Sequence, residues 1–463
     1  MSKRVLALSA ALLMFSMLFA GCSKAPGGES SGSAGSTGSA GDTSSPSNTA
    51  TIELPKFDIQ GTKVQYLGWA SGKEFTTEGT DLYRLNQMLK EHYGAEIQFV
   101  RTTYDELPTK LAQLVLSSNS PDLVHYKYQD NPGFILNELV TEITPDLIDF
   151  DSALWSGIKE VNQEYAFNGK IFTPIVNLIN NGYIYYNVQM FEEAGLETPL
   201  ELYRKGEWTW DTMRDLAEQL TVKGSDGSVK VYGMTTGSDF YMTCGSDFAK
   251  ANEDGTVTNN LSDPNLAKVF NYIFRTGTAG SNCRMMIGQF TEEFLAGNIA
   301  MICDEAWVRS MLYDKMKSGE VRFAPSPKMP DADEYYVNSL ISTLWIAKNA
   351  PNPQGAAAYL SIMRYVETEP TAKADFRAWE MEKMGYTAEE YALIDEMNDR
   401  SKFTFTRRIG PGVGNFGNKE MFDMFNAVSS WDIPWSTCVE QYKPLLQAEI
   451  DAHNSKVTAY KNK

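Results

Sequence analysis

Imidazoles and thiols carry much of the acid–base, nucleophilic and metal chemistry that proteins perform near neutral pH, and in this chain they are few and scattered. The histidines are His92, His125 and His453, with no H-E-x-x-H spacing, and no G-x-S-x-G turn occurs anywhere. Surface or packing roles are expected for all three. Beyond Cys22 the cysteines are Cys244, Cys283, Cys303 and Cys438, far apart and without a C-x-x-C pair, which excludes a zinc ribbon or a thioredoxin-type motif. They could form up to two disulfides in an oxidising exterior or remain buried thiols; spacing decides neither. Gly410, Gly412, Gly414 and Gly417 lie in a glycine-rich loop that lacks the Lys-Ser/Thr ending of a phosphate-binding loop. The expectation is no catalytic residue, no metal and no cofactor.

Cys22 is the exception, because its chemistry is read from its neighbours. Lys3 and Arg4 precede an apolar stretch from Val5 that closes on Leu18-Phe19-Ala20-Gly21-Cys22. A basic start, a short apolar run and small residues before a cut describe a secretory signal, residues 1–21, too short for a spanning helix. The cysteine after the small pair resembles a bacterial lipobox, with Phe19 where Leu is usual; the thiol of Cys22 would then carry diacylglycerol. Residues 22–56 read as a lipidated cysteine followed by a Ser/Gly-rich leash. About 30 such residues span roughly 30 Å root-mean-square, enough to hold a body near a bilayer without burying anything in it. The expected location is the extracytoplasmic face of the cell membrane, held there by the N-terminal lipid only.

The remaining chain is long enough for a large core or two domains. Its formal charge is −18, two units more negative without Lys3 and Arg4, which argues against nucleic acid or an anionic bilayer as a bound surface. Aromatic residues make up 12% of the chain, including 23 Tyr and 9 Trp, so a ligand that stacks on rings is a natural expectation.

The elements that must position these rings begin with an alternation. Lys63 to Trp69 has period-two apolar residues, and Asp81 to His92 places Leu82, Leu85, Met88 and Leu89 on one helical face behind Thr80 as cap. Glu96 to Val100 is strand-like, Asp105 to Ser118 carries Leu107, Leu111, Leu114 and Val115 at helical spacing, and Pro121-Asp122 leads into Leu123 to Tyr126. A β-α-β-α-β run of this length folds as a parallel sheet that binds ligands beyond the carboxyl ends of its strands. Those ends are Trp69, Arg101 and Tyr126 to Asp130. Further on, Thr209 is the expected cap of a helix with Met213, Leu216, Ala217 and Leu220 inward.

Taken in order, Pro121-Asp122, Asn168-Gly169-Lys170, Tyr185-Tyr186-Asn187 with Phe191 to Leu196, Thr209-Trp210-Asp211, and Phe294 through Met301 to Trp307 resemble the family 1 extracellular solute-binding proteins, the sugar-binding lipoproteins of ABC importers. The resemblance implies an α/β, two-lobed periplasmic-binding-protein-like (type II) fold with hinge strands and a central ligand cleft. By order, the first lobe is 57–175 plus 340–402 and the second 176–339 plus 403–463. Crossings are placed near Pro174 to Asn177, near Asn338 to Leu340 and near Phe403 to Arg408. The implied partners are a carbohydrate, an oligosaccharide, and the permease subunits of an ABC transporter, with the receptor itself a monomer.

A sugar has apolar C–H faces and a hydroxyl rim, so aromatic platforms and planar polar groups hold it. The expected contacts are Trp69, Tyr126 and Gln129 on the first lobe, Asn181 and Tyr183 past the hinge, Trp307, and Trp435, with Trp431 beside it. For Trp69 and Trp307 the competing expectation is packing. Asp304 and Glu305 are either hydroxyl acceptors or solvated surface. Arg407 and Arg408 are expected in salt bridges, and in the cleft they would instead suit an acidic sugar. Trp155, Trp208, Trp345 and Trp379 are assigned to packing. Two rivals stand beside the sugar receptor. One is the same fold binding a peptide, amino acid or polyamine; the other is a secreted glycoside hydrolase, for which no pair of carboxylates stands out among the 59 acidic residues.

Overall fold

The computed structural model describes residues 51–463 except 70, 238–239, 279, 287, 289, 408–412, 414–419 and 431–432. The expected signal, Cys22, most of the expected leash, Arg408, the four glycines of the late loop and Trp431 therefore lie outside the described residues. In chain order the strands are β1 (Lys63–Gly68), β2 (Glu96–Arg101), β3 (Leu123–His125), β4 (Asn177–Asn180), β5 (Tyr183–Asn187), β6 (Val222–Lys223), β7 (Val229–Thr236), β8 (Ala249–Ala251), β9 (Val257–Asn259), β10 (Ile299–Asp304), β11 (Val321–Pro325), β12 (Tyr335–Ser342), β13 (Leu344–Ile346) and β14 (Phe403–Thr406).

The first lobe is built on a sheet of order β13-β3-β1-β2. The early alternation produces its three parallel strands, with β13 antiparallel at the edge. Thr80 caps the helix Asp81–Tyr93 by accepting from Tyr83 N, and Gly94 ends it in the left-handed region at φ 66°. Leu85, Met88 and Leu89 of that helix are buried with Val64, Tyr66, Tyr359 and Leu360. Asp122 joins two of these parts: one carboxylate oxygen accepts from Gln65 N at 2.7 Å and the other from Asn352 N at 2.5 Å. The acid thus pins β1 and the start of the helix Pro353–Thr368 together. Burial raises its pKa while both backbone donors oppose the shift.

The second lobe carries a five-stranded sheet of order β11-β5-β10-β7-β6. Thr209 caps the helix Trp210–Leu220, which buries Met213, Leu216, Ala217 and Leu220. That helix lies so close to β7 that a Cβ on Gly233 would stand 1.9 Å from the Ala217 carbonyl oxygen; only glycine permits the approach. Trp208, Phe240 and Phe270 fill the same core. Trp155, Trp208 and Trp345 are fully buried, as packing residues should be, and Trp379 is half-buried beside Phe376. Cys244, Cys283, Cys303 and Cys438 are all buried free thiols.

A third sheet, β14-β12-β4, stands where the chain passes between the two. β12 changes neighbour halfway along, pairing in parallel with β14 through Tyr335 to Asn338 and antiparallel with β4 through Ser339 to Ser342. Side chains brace the passage: Asn180 Nδ2 donates to the Met397 carbonyl, Asn177 Nδ2 to Glu367, and Arg364 Nη1 to the Val176 carbonyl. Within 340–402, the helix Ala388–Met397 packs Leu393 and Met397 with Ile302, Phe323 and Phe403. The final helix, Trp435–Lys461, buries Trp435 through Ile450 in the second core and Val457 among Leu67, Val124 and Trp345 of the first. None of the described helices is long and apolar enough to cross a membrane.

Candidate functional site

The carboxyl ends of β1 and β3 place the first group of candidates. Trp69 follows β1 and lies against His125, ring centroids 4.0 Å apart, and edge-on to Tyr104 at 4.9 Å. His125 Nδ1 is 2.7 Å from the Tyr66 hydroxyl, and desolvation lowers the imidazole pKa to about 4, so the ring is neutral at pH 7. Gln129 accepts from the Tyr104 hydroxyl at 2.8 Å. Lys127 Nζ sits 4.2 Å over the Tyr104 ring and 4.0 Å from Asp130, whose pKa burial raises to about 6 against the pull of that lysine. Trp69, Gln129 and Tyr104 therefore form one connected edge of the first lobe.

On the second lobe, Asn181 and Trp307 are brought together through the backbone. Asn181 Oδ1 accepts from Ala306 N at 3.0 Å, and the Tyr185 hydroxyl donates to the carbonyls of Glu305 and Ala306. This holds the turn after β10 in place. Trp307 at its tip is 47% exposed, and its indole N–H donates to Glu305 at 2.8 Å. Asp304 is occupied by Glu305 N at 2.9 Å.

Two expected contacts are corrected. Trp435 is 3% exposed and lies flat on Phe270 at 4.1 Å, a core residue at the start of the final helix. Tyr183 is 4% exposed and packs against Tyr185 and Phe323. Each is covered by a ring from a distant segment, Phe270 on Trp435 and Phe323 on Tyr183, which no local pattern announces.

A cavity of about 470 Å³ opens between the lobes, within the roughly 300–1,000 Å³ common for small-molecule sites. The first lobe contributes Tyr126, Tyr128, Asn131 and the segment Gln163 to Phe167; Asn252, Glu253, Gly255 and His453 come from the second, and Ile341 of β12 and Arg407 after β14 from the passage between them. Of the seven contacts expected from sequence, Tyr126 alone is among the described residues lining it. Tyr126 is positioned by Trp345, edge-on at 4.9 Å. The turn Asn168-Gly169, at φ 51° and 73°, closes a Phe167–Lys170 bridge and so sets the segment carrying Tyr165. Arg407, expected in a salt bridge, instead lies 4.3 Å over the Tyr165 ring and donates from Nη1 to the Glu164 carbonyl at 2.9 Å. The Tyr165 hydroxyl is raised by burial, with Arg407 opposing. His453 Nε2 is 3.2 Å from the Gly255 carbonyl, and burial lowers its pKa.

Tyr128, Tyr165 and His453 line the cavity without having been named as ligand contacts, whereas Arg407 was weighed as a partner for an acidic sugar should it lie in the cleft. Tyr165 had a signal, an aromatic residue directly before the Asn168-Gly169-Lys170 turn. His453 had none, being one buried position on a long amphipathic helix. Among the described residues, no group of three or more His, Cys, Asp or Glu side chains could hold a metal ion. The cavity combines aromatic faces with amides, one guanidinium and carboxylates, an arrangement suited to holding a polar solute.

A family model described as bacterial extracellular solute-binding protein matches residues 75–364. Several solved structures share the fold. The ABC substrate-binding protein Lmo0181 from Listeria monocytogenes, in complex with cycloalternan, is 17% identical with a TM-score of 0.62, covering 86% of this chain and 99% of that one. The sugar-binding protein MalE from Xanthomonas citri is 14% identical at a TM-score of 0.62, covering 85% and 98%. UgpB from Mycobacterium tuberculosis, in complex with glycerophosphocholine, is 14% identical at 0.62, covering 84% and 98%. A search of curated protein sequences returned no match.

Proposed function

The chain belongs to the bacterial extracellular solute-binding protein family, and on that premise we propose that it captures a carbohydrate, an oligosaccharide, between its lobes and delivers it to the permease of an ABC importer. The observation that carries this reading is the cavity itself, whose rings Tyr126, Tyr128 and Tyr165 alternate with Asn131, Gln163 and Asn252. Rings cover the C–H faces of a sugar and amides bridge its hydroxyls. Trp69 with Gln129, and Trp307 held by Asn181, extend the same chemistry along the two lobe edges. The likeness in fold to proteins solved with cycloalternan and with maltotetraose agrees with it.

Mechanism follows from contacts divided between lobes. Only the closed arrangement makes all of them, so a ligand shifts the hinge equilibrium by its differential affinity for the closed form. A micromolar dissociation constant would correspond to about −8 kcal/mol, within reach of two or three stacked rings and several hydrogen bonds. In this proposal the protein is a monomer without catalytic activity or cofactor, tethered at the extracytoplasmic face through lipid on Cys22, and it binds no nucleic acid.

A thermal-shift screen of residues 51–463 against oligosaccharides, amino acids, peptides and polyamines tests the reading. Ligand at a hundred times its dissociation constant adds about 2.7 kcal/mol, a rise of a few degrees. A shift with a saccharide series supports it. A shift confined to amino acids, peptides or polyamines moves the chain to another solute, and turnover of a bound glycan would revive the hydrolase.

A further inference from the structure

Arg407 is a cation lining the cavity that has no counterion among the described residues. Its backbone follows β14, whose last paired residue, Thr406, is fixed opposite Asn338 of β12. Its guanidinium lies on the Tyr165 face at 4.3 Å and spends one N–H on the Glu164 carbonyl. A neutral carbonyl leaves the charge uncompensated, and among the described residues no carboxylate lies within ion-pair distance of Arg407. The Glu164 carboxylate is engaged elsewhere, 3.4 Å from Arg400. His453 supplies no charge, because burial keeps the imidazole neutral. Glu253, the other acid of the lining, is exposed.

An arginine is charged at every accessible pH and presents five donors in a planar fork that matches an oxyanion. Held half out of water on an aromatic face, it carries a desolvation cost that a ligand anion would offset. The rest of the wall is built for a sugar ring, with Tyr126, Tyr128 and Phe167 near the same space.

We propose that the cavity selects acidic oligosaccharides, with Arg407 pairing the carboxylate of a uronate residue that stacks among these rings. The proposal rests on the carbohydrate reading and narrows its substrate class.

The test is calorimetric titration of the mature chain with trimers of galacturonate, glucuronate and mannuronate, their methyl esters, and trimers of glucose, galactose and mannose. The expected result is one uronate trimer bound roughly 10- to 100-fold more tightly than its own ester, the scale of a charge-assisted hydrogen bond. Arg407→Gln should erase that difference while leaving the melting temperature within a few degrees. The ester comparison on the unaltered chain stands even if this variant fails to fold, and Arg407→Lys, which keeps the charge but not the fork, should then show a reduced preference. A neutral trimer bound with no uronate preference overturns the inference and keeps the carbohydrate reading. A preference untouched by either Arg407 variant overturns the role of Arg407, and silence with every saccharide overturns both.

Discussion

Trp435 and Phe270 lie face to face, ring centroids 4.1 Å apart and planes 7° from parallel. The pair joins the first turn of the final helix to the helix Pro264–Thr276 and belongs to the same core as Trp208, Phe240 and Phe248. Trp435→Ala should therefore lower stability by about 3–5 kcal/mol, the usual cost of emptying a large aromatic site. Urea unfolding checks it; a loss under 1 kcal/mol would show that the stack is not core.

Trp307 should behave in the opposite way. With nearly half its surface exposed and its N–H tied only to Glu305, Trp307→Ala should leave the unfolding midpoint nearly unchanged. If the ring stacks on ligand, affinity falls by about 2 kcal/mol, the scale of a hot-spot residue. Calorimetry with the best saccharide from the screen reads the difference, and equal binding removes Trp307 from the site.

Asn181→Ala removes the acceptor for Ala306 N and leaves a part-buried donor unpaired at the turn that carries Trp307. Stability should drop by about 1–3 kcal/mol. Amide hydrogen exchange should accelerate at 305–307 more than in β10, a pattern that a global loss of stability would not produce.

His125 predicts a pH effect with a definite sign. Its folded-state pKa lies near 4, below the unfolded 6.5, so its contribution is fully present above pH 6.5 and is lost as pH falls toward 4. Asp130, raised to about 6, acts in the other direction: its contribution is present below the unfolded carboxylate range and is lost as pH rises through 6. The stability advantage of the native chain over His125→Asn should thus shrink between pH 6.5 and 4, by at most about 1.4 kcal/mol per pH unit. Denaturation at a series of pH values measures it, and a constant difference would mean that His125 titrates normally.

Much of the scaffold was legible because its signals are local. Thr80 and Thr209 cap the helices whose apolar faces follow them, and the alternation from Lys63 to Tyr126 became a parallel β2-β1-β3 core. Asp122 was legible as a mark, but its work, holding Gln65 N and, 230 residues after itself, Asn352 N, was not. Tyr126, Trp69 and Gln129 were expected together because parallel strands expose their carboxyl ends by geometry, and of the three Tyr126 lines the cavity.

The sequence by itself determined the periodic elements and an aromatic supply rich enough for a solute site, since each depends on residues within a few turns of one another. Only the tertiary structure decided which rings face the cavity. Trp435 is enclosed because Phe248 and Phe270 arrive from far earlier in the chain, while Tyr165, Arg407 and His453 meet because a turn, a crossing strand and the final helix converge there. Burial is a property of everything packed around a side chain, and its neighbours in sequence are only a small part of that.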